Sequence, residues 1–290
     1  MRDRSQAPLH DGARRGEAIL QRFQQLPDRR VPRQPTDAAR VLRTDSTTED
    51  LPIVVPSACV VTGASSGIGR QAALHLAERG VALALGGRSL ERLEETASLC
   101  RSKGAACAIV AGDVCDENVM KGLADEARRL GKGGKVGAVL SAGVARFGDT
   151  ETYSRQDWDE TLSANLTALF VAAQALIPVF RAQGGGRALA VLSIASQVAF
   201  PQSAAYVASK FGALGLVKSL AAEYRREGIE WIAFLPGSTW TELWERMDSP
   251  LERERMLSAE DVGRAIADAV LHPGAGFLDE VVYLPKEGIL

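Results

Sequence analysis

Three observations predict an α/β fold built on a single Rossmann-type, doubly wound parallel sheet. From about residue 57 onward, short apolar runs alternate with longer helix-like segments. Several of the runs are apolar at consecutive positions, as strands covered on both faces must be. The first run ends in a glycine-rich turn that leads straight into a helical pattern. Parallel pairing requires a long crossover between strands, and a helix is its usual form.

In chain order, Ala58–Thr62 reads as the first strand and Gly67–Arg79 as the first helix, with Ala72, Leu74 and Leu76 as apolar positions. Val81–Leu85 and Leu90–Lys103 form the next strand and helix, and Cys107–Val110 with Asp116–Leu130 the third pair. Val136–Leu140 is a fourth strand. Two long helical stretches, at about 155–183 and 204–227, are interleaved with strands near Leu189–Ser193 and Glu230–Leu235, and Val281–Leu284 closes the series. With no internal repeat in this region, residues 51–290 read as one dinucleotide-binding catalytic domain.

Residues 1–50 differ: they are rich in Arg, Asp, Gln and Pro and carry few apolar side chains. Such a segment cannot fill a core and reads as a disordered or weakly helical arm, with Glu17–Leu26 as its one amphipathic stretch. Acidic residues interrupt the basic ones, so it matches a transit peptide poorly. The alternatives are an over-extended start or a docking arm for a partner or a neighbouring subunit.

The chain has 46% hydrophobic and 24% charged residues and a net charge of −2, the balance of a soluble globular protein. That charge gives no reason to expect nucleic acid or an anionic membrane as partner. The longest apolar run, Leu169–Phe180, is too short to span a bilayer. Cys59, Cys100, Cys107 and Cys115 are scattered, which reads as free thiols in a reducing, cytoplasmic setting. Three histidines far apart in sequence offer no metal site.

Chemistry enters at Thr62-Gly-Ala-Ser-Ser-Gly-Ile-Gly69, between the first strand and the first helix. Glycines 63, 67 and 69 allow a tight turn and a close backbone approach to a pyrophosphate at the helix N-terminus. At the end of the second strand, Gly87 stands where an acidic residue would hold a ribose 2′-hydroxyl, and Arg88 follows it. A guanidinium without a carboxylate suits a 2′-phosphate, so the expected cofactor is NADP(H). Asp113, after the third strand, could cap the helix that follows. Tyr206 and Lys210 are four apart on a predicted helix and so share a face. An ammonium there would favour the phenolate, tuning a phenol that donates a proton as hydride arrives at a carbonyl carbon.

The Gly-x-x-x-Gly-x-Gly spacing resembles the short-chain dehydrogenase/reductase family, and the resemblance extends over roughly residues 57–286. It implies cofactor contacts from Gly63, Ser65, Ser66, Gly67, Ile68, Gly69, Arg88, Asp113, Val114, Ser141, Ala142 and Gly143. It implies others from Tyr206, Lys210 and the Pro236-Gly237-Ser-Thr239-Trp-Thr241 segment. Its catalytic set falls on Ser193, Tyr206, Lys210 and Asn165, with Ser196 as a competitor for the serine and a solvent-facing role as the alternative for Asn165. The family's Asn-Asn-Ala-Gly is here Leu140-Ser141-Ala142-Gly143, which puts hydrogen bonding at the centre of the sheet in question.

The expected activity is reversible hydride transfer between NADP(H) and a ketone, aldehyde or secondary alcohol of small size. The rival is an NADP(H)-binding regulator or scaffold acting through its arm. A serine hydrolase fails because His75 lies on the first helix and no Gly-x-Ser-x-Gly elbow is present. Glu242–Met256, with Trp240, Leu243, Trp244 and Met247, is expected to cover a moderately apolar pocket. Apolar faces at Leu166–Phe180 and Phe211–Leu220 point to a homodimer or homotetramer.

Overall fold

Ala58-Cys-Val-Val-Thr62 is uncharged and β-branched at its last three positions, and it forms β1 with every residue buried. The computed structural model describes residues 55–242, 244, 252–274 and 276–289; the arm expected at 1–50 lies outside them. The other strands of the main sheet are β2 (Ala82–Gly87), β3 (Cys107–Ala111), β4 (Val136–Leu140), β5 (Gly186–Val191), β6 (Ile229–Pro236) and β9 (Glu280–Tyr283). Their order is β3-β2-β1-β4-β5-β6-β9, and every pairing is parallel. Strands β1, β4, β5 and β6 are buried at every residue, whereas the edge strands β3 and β9 are only partly covered.

The crossovers are α1 (Gly67–Glu78), α2 (Leu90–Ser102), α3 (Glu117–Gly131), α4 (Arg155–Leu162) continuing into α5 (Ala168–Ala182), α6 (Ala204–Tyr224) and α7 (Ala259–Val270). Asp116, Ser154 and Ser258 each cap a helix by accepting a backbone N–H two or three residues on. Asp116, not Asp113, is therefore the cap of α3. Two cores result, one on each face of the sheet. Met120, Leu176, Phe180 and Trp231 sit in one, and Leu76, Leu93, Phe234 and Ile266 in the other. Each fully buried side chain of this size stabilises by about 1.5–3 kcal/mol.

The structure departs from the predicted elements in four places. Strand β5 begins and ends earlier than 189–193, leaving Ser193 beyond it. The stretch at 155–183 is one long run interrupted by a π-helical turn at Ser163–Thr167. By length and apolar composition this run, Arg155–Ala182, could cross a membrane, but its α5 portion lies in the core against the sheet. Helix α7 was not singled out although its buried Val262, Ile266 and Val270 recur at helical spacing, and the ribbon of β7 (Thr239–Trp240) against β8 (Leu257–Ser258) is too short, at two residues a strand, to leave a periodic signal.

One buried ion pair fastens the far end of the sheet. Arg187 on β5 and Glu230 on β6 are register partners, 1% and 2% exposed, with Nε to Oε2 at 2.5 Å. Arg187 Nη1 also donates to the carbonyls of Val270 and His272, both at 2.8 Å, and Glu230 Oε1 accepts the Leu278 N–H at 2.6 Å. The pair thus anchors the C-terminal end of α7 and the chain returning to β9. Removing one partner strands a charge in the interior, which costs about 3–5 kcal/mol. Glu230→Leu is expected to lower the urea-unfolding free energy by that amount, and Arg187→Met in the same chain to restore most of it.

Candidate active site

All the loops that follow the C-terminal ends of β1, β2, β4, β5 and β6 meet at one edge of the sheet, and the topology sets where. Strand β1 pairs with β2 on one side and β4 on the other, so the crossovers diverge there and leave a crevice. The glycine-rich loop fills its floor. Gly63 has φ +66°, and a Cβ on it would lie 2.8 Å from the Ser141 carbonyl oxygen. A Cβ on Gly69 would lie 2.3 Å from Gly63 O, so α1 can pack on the loop only with glycine there. Ser66 starts α1 without capping it by its own side chain.

Two residues that the sequence did not single out, Arg70 on α1 and Thr96 on α2, hold this loop. Arg70 donates from Nη2 to Ser65 O at 2.8 Å and from Nε to Thr96 Oγ1 at 3.1 Å. The Thr96 hydroxyl in turn donates to Ala64 O at 2.9 Å. Their separation of 26 residues left no local signal. Across the crevice, the Thr241 methyl lies 3.3 Å from the Cβ position of Gly67, which seats the 236–241 segment on the loop. Thr239 is buried, its hydroxyl donating to Gly237 O at 2.9 Å, and Gly237 N–H donates to Tyr283 O at 2.8 Å.

At the ribose end, Gly87 is buried with its Cβ direction open, the nearest atom being Ser65 Oγ at 3.5 Å. Arg88 is exposed and forms no ion pair with the described residues. Arg92, one turn into α2, pairs with Glu242 at 2.6 Å. Asp113 is exposed and accepts the Cys115 N–H at 2.9 Å, a local turn that leaves Val114 buried beside it. The concern raised by Leu140–Gly143 resolves at Thr62, whose hydroxyl accepts the Ala142 N–H at 3.2 Å and joins the ends of β1 and β4.

The second cluster lies past β5. Ser193 has extended backbone and its hydroxyl accepts the Ala195 N–H at 3.0 Å, aiming the side chain off the strand end. It lies close enough to the Tyr206 phenol to draw that group's pKa down. Ser196, the competitor, is 1% exposed and its hydroxyl has no partner among the described residues. Lys210 is buried, its Nζ 3.2 Å from Val191 O and 5.8 Å from the Tyr206 ring centre.

Burial drives the Tyr206 pKa up, with the Ser193 hydroxyl pulling it partly back. Burial also brings Lys210 down to about 8. The lowering of Tyr206 expected from Lys210 is therefore not the dominant effect, because desolvation of the phenol outweighs it and the ammonium is held toward the Val191 carbonyl.

Asn165 is not a solvent-facing residue. It sits 5% exposed in the π-helical turn, whose extra residue re-aims its side chain inward. Its Oδ1 accepts the Val144 N–H at 2.8 Å; its Nδ2 donates to Val144 O and to Ser209 Oγ, both at 2.9 Å. Engaging both backbone groups of Val144 fixes the orientation of the amide. A Cβ on Gly143 would lie 2.9 Å from Asn165 Oδ1 and 3.8 Å from Lys210 Nζ, so these groups share one small space.

Phe147, unremarked in the sequence, packs at 5.8 Å and 60° on the Tyr206 ring. Its loop is tied to the one before α6 by Gly148 N–H to Gln202 O at 2.8 Å. Of the pocket-covering segment, Leu243 and Met247 lie outside the described residues; Arg253 stacks over Trp240 at 5.4 Å.

The sequence profile of the short chain dehydrogenase family matches residues 57–252. The chain belongs to that family. It is 29% identical over 237 residues to a sepiapterin reductase of Chlorobaculum tepidum, covering 79% of this chain and 96% of that protein. It is 32% identical over 235 residues to an uncharacterized oxidoreductase of Thermotoga maritima, covering 76% and 91%. The solved alcohol dehydrogenase of Thermococcus sibiricus, complexed with 5-hydroxy-NADP, superposes with a TM-score of 0.70 at 27% identity, covering 78% of this chain and 94% of that one. This short-chain dehydrogenase is thus an oxidoreductase whose fold takes a nicotinamide cofactor, and the glycine turn into the N-terminus of α1, with Gly63 and Gly67 at positive φ, fits one.

Lys210 loses its proton near pH 8 when folded and near 10.5 when unfolded. Its folded pKa is lowered, so burying its charge costs stability in full below pH 8. Between those values the unfolded chain binds more protons, and stability rises with pH. Wild type is therefore expected to gain up to about 3 kcal/mol over Lys210→Met across that window, read by denaturant unfolding at stepped pH.

Proposed function

We propose that this short-chain dehydrogenase transfers hydride between NADP(H) and a small ketone, aldehyde or secondary alcohol, with Tyr206 as general acid and base. The observation that carries the reading is the convergence of Ser193, Tyr206 and Lys210, with Asn165 behind them, at the edge of the sheet where the glycine-rich loop lies. The sepiapterin reductase and the alcohol dehydrogenase among its relatives fit that substrate class.

When bound, the nicotinamide supplies or accepts the hydride. The protein handles the proton and the position. Ser193 orients the substrate oxygen by a hydrogen bond, and Tyr206 holds at its phenol oxygen the proton that passes to the substrate oxygen. Its raised pKa keeps that proton in place at neutral pH. Lys210, held near 8, is poised to exchange a proton with that site, and Asn165 fixes the backbone beside it. Gly63, Ser65, Ser66, Gly67, Ile68 and Gly69 would hold the pyrophosphate; Asp113 and Val114 the adenine; Ser141, Ala142 and Gly143 the ribose next to the nicotinamide. Pro236, Gly237, Thr239 and Thr241 would hold the carboxamide end.

The preference for NADP(H) rests on the Arg88 guanidinium, which pairs with no carboxylate among the described residues, and on the missing carboxylate at Gly87. The four cysteines, all free, agree with a cytoplasmic setting. Phe170 and Phe211, 50% and 45% exposed on α5 and α6, support assembly into a homodimer or homotetramer through those helices.

Two measurements test the reading. Oxidation of NADPH, followed by its absorbance against a panel of carbonyl compounds, is expected to fall about 10²–10⁴-fold in Tyr206→Phe, the range a positioned general acid contributes. NADPH binding by wild type with no turnover on any compound would instead favour the regulator. Gly87→Asp meets only ordinary contact at its Cβ. It is expected to fold normally, weaken NADPH binding at least tenfold and strengthen NADH binding, as read by fluorescence titration.

A further inference from the structure

Arg92 and Glu242 lie 150 residues apart, yet Arg92 Nη1 donates to Glu242 Oε2 at 2.6 Å. Their contact closes a ring that begins and ends at the glycine-rich loop. The loop at Ala64–Gly67 is its floor. One wall is the start of α2, where the Thr96 hydroxyl reaches Ala64 O at 2.9 Å and Arg92 O at 3.0 Å. The other wall follows β7, where the Thr241 methyl stands 3.3 Å from the Cβ position of Gly67 and Glu242 comes next in the chain. Gly67 opens α1, the turn to which the pyrophosphate is assigned. The ion pair therefore joins the two walls of that subsite.

The fold gives this pair little else to do. Its side chains are 43% and 42% exposed, and an exposed ion pair adds little to stability. Glu95, on the same helix, is engaged by Arg70 at 3.0 Å, so Glu242 is the carboxylate bonded to Arg92. A carboxylate at the mouth of a pyrophosphate site repels the phosphates, and a guanidinium in contact with it cancels that repulsion.

We propose that Arg92 and Glu242 form a clasp that retains the cofactor. The pair closes across the pyrophosphate of a bound nicotinamide dinucleotide and slows its release, while Arg92 screens the Glu242 charge from the phosphates as they enter. Both are positioning residues, remote from the reacting carbonyl. The proposal rests on the glycine-rich loop as the dinucleotide site and is independent of the substrate and of the role given to Tyr206. Because the pyrophosphate is common to both nicotinamide dinucleotides, the clasp acts on NADPH and NADH alike.

The test uses the full chain in stopped flow, following nucleotide fluorescence on binding and on displacement by excess oxidised cofactor. Glu242→Gln is expected to release NADPH about three- to fivefold faster, the range an exposed ion pair supports, with association no slower than wild type. Arg92→Met is expected to match that release and also to associate at least about threefold more slowly at low salt, because the carboxylate is left alone at the mouth. In the double variant Arg92→Met with Glu242→Gln, release is expected to be no faster than in either single variant, and association to recover. High salt is expected to speed wild-type release toward that of the variants. The charge exchange Arg92→Glu with Glu242→Arg is expected to restore slow release.

The clasp is overturned if both single variants release NADPH at the wild-type rate, or if their effects on release add in the double variant. A lowered urea-unfolding midpoint with unchanged release overturns it as well, marking the pair as structural. Slower release in Glu242→Gln also overturns it, since Arg92 would then be a phosphate ligand for which Glu242 competes. An effect confined to NADPH does the same, because it would put the pair on the 2′-phosphate. A wild type that binds neither nucleotide overturns the cofactor reading and the clasp together, which sets that failure apart from the others.

Discussion

The divergence of crossovers at β1 and β4 is the constraint on which the rest depends. Parallel neighbours cannot be joined by tight turns, so each strand sends its chain over one face and back. Where those returns part company, no helix covers the strand ends. The opening is kept narrow by Gly63 against Ser141 and by the Thr62 hydroxyl on Ala142. A side chain at 63 would push β1 and β4 apart at the place where the cofactor cradle and Gly143 must coexist.

The two halves of the site differ in how they are held. The loop at 62–69 is held by Arg70 on α1 and Thr96 on α2, while α7 lies against α1 with no room for a side chain at Gly263, whose Cβ would fall 2.6 Å from that of Gln71. Helix α7 is in turn anchored at its far end by Arg187 and Glu230. The proton-handling half is held by polar groups in a dry setting: Asn165 on Val144, Lys210 on Val191, Ser193 on Ala195. Interior hydrogen bonds of this kind are costly to leave unmade, and they fix side chains where packing alone would not.

Much of this was legible in the linear chain because the informative signals are local. Strand–helix alternation, the glycine turn and the Tyr206–Lys210 spacing each lie within a few residues, and local spacing on a strand or helix translates directly into shared faces. Edges were less legible: β5 ends before Ser193, and the π-helical turn at 163–167 is set by what Asn165 finds across the crevice rather than by its neighbours. Helix α7 was missed as an element although its Ser258 cap and the spacing of Val262, Ile266 and Val270 carry a local helical signal.

The sequence by itself determined the fold class and the glycine turn at its first crossover, through periodicity and turn chemistry, while Ser193 and Asn165 were named by the family resemblance. Only the tertiary structure decided the rest. The clamp of Arg70 and Thr96 on the loop, the Phe147 wall beside Tyr206 and the Arg187–Glu230 anchor all join segments whose approach depends on how crossovers stack. The balance at Tyr206 was likewise decided by burial. Spacing tells which charge is near a phenol, but desolvation depends on everything packed around it, and here it outweighs the neighbouring lysine.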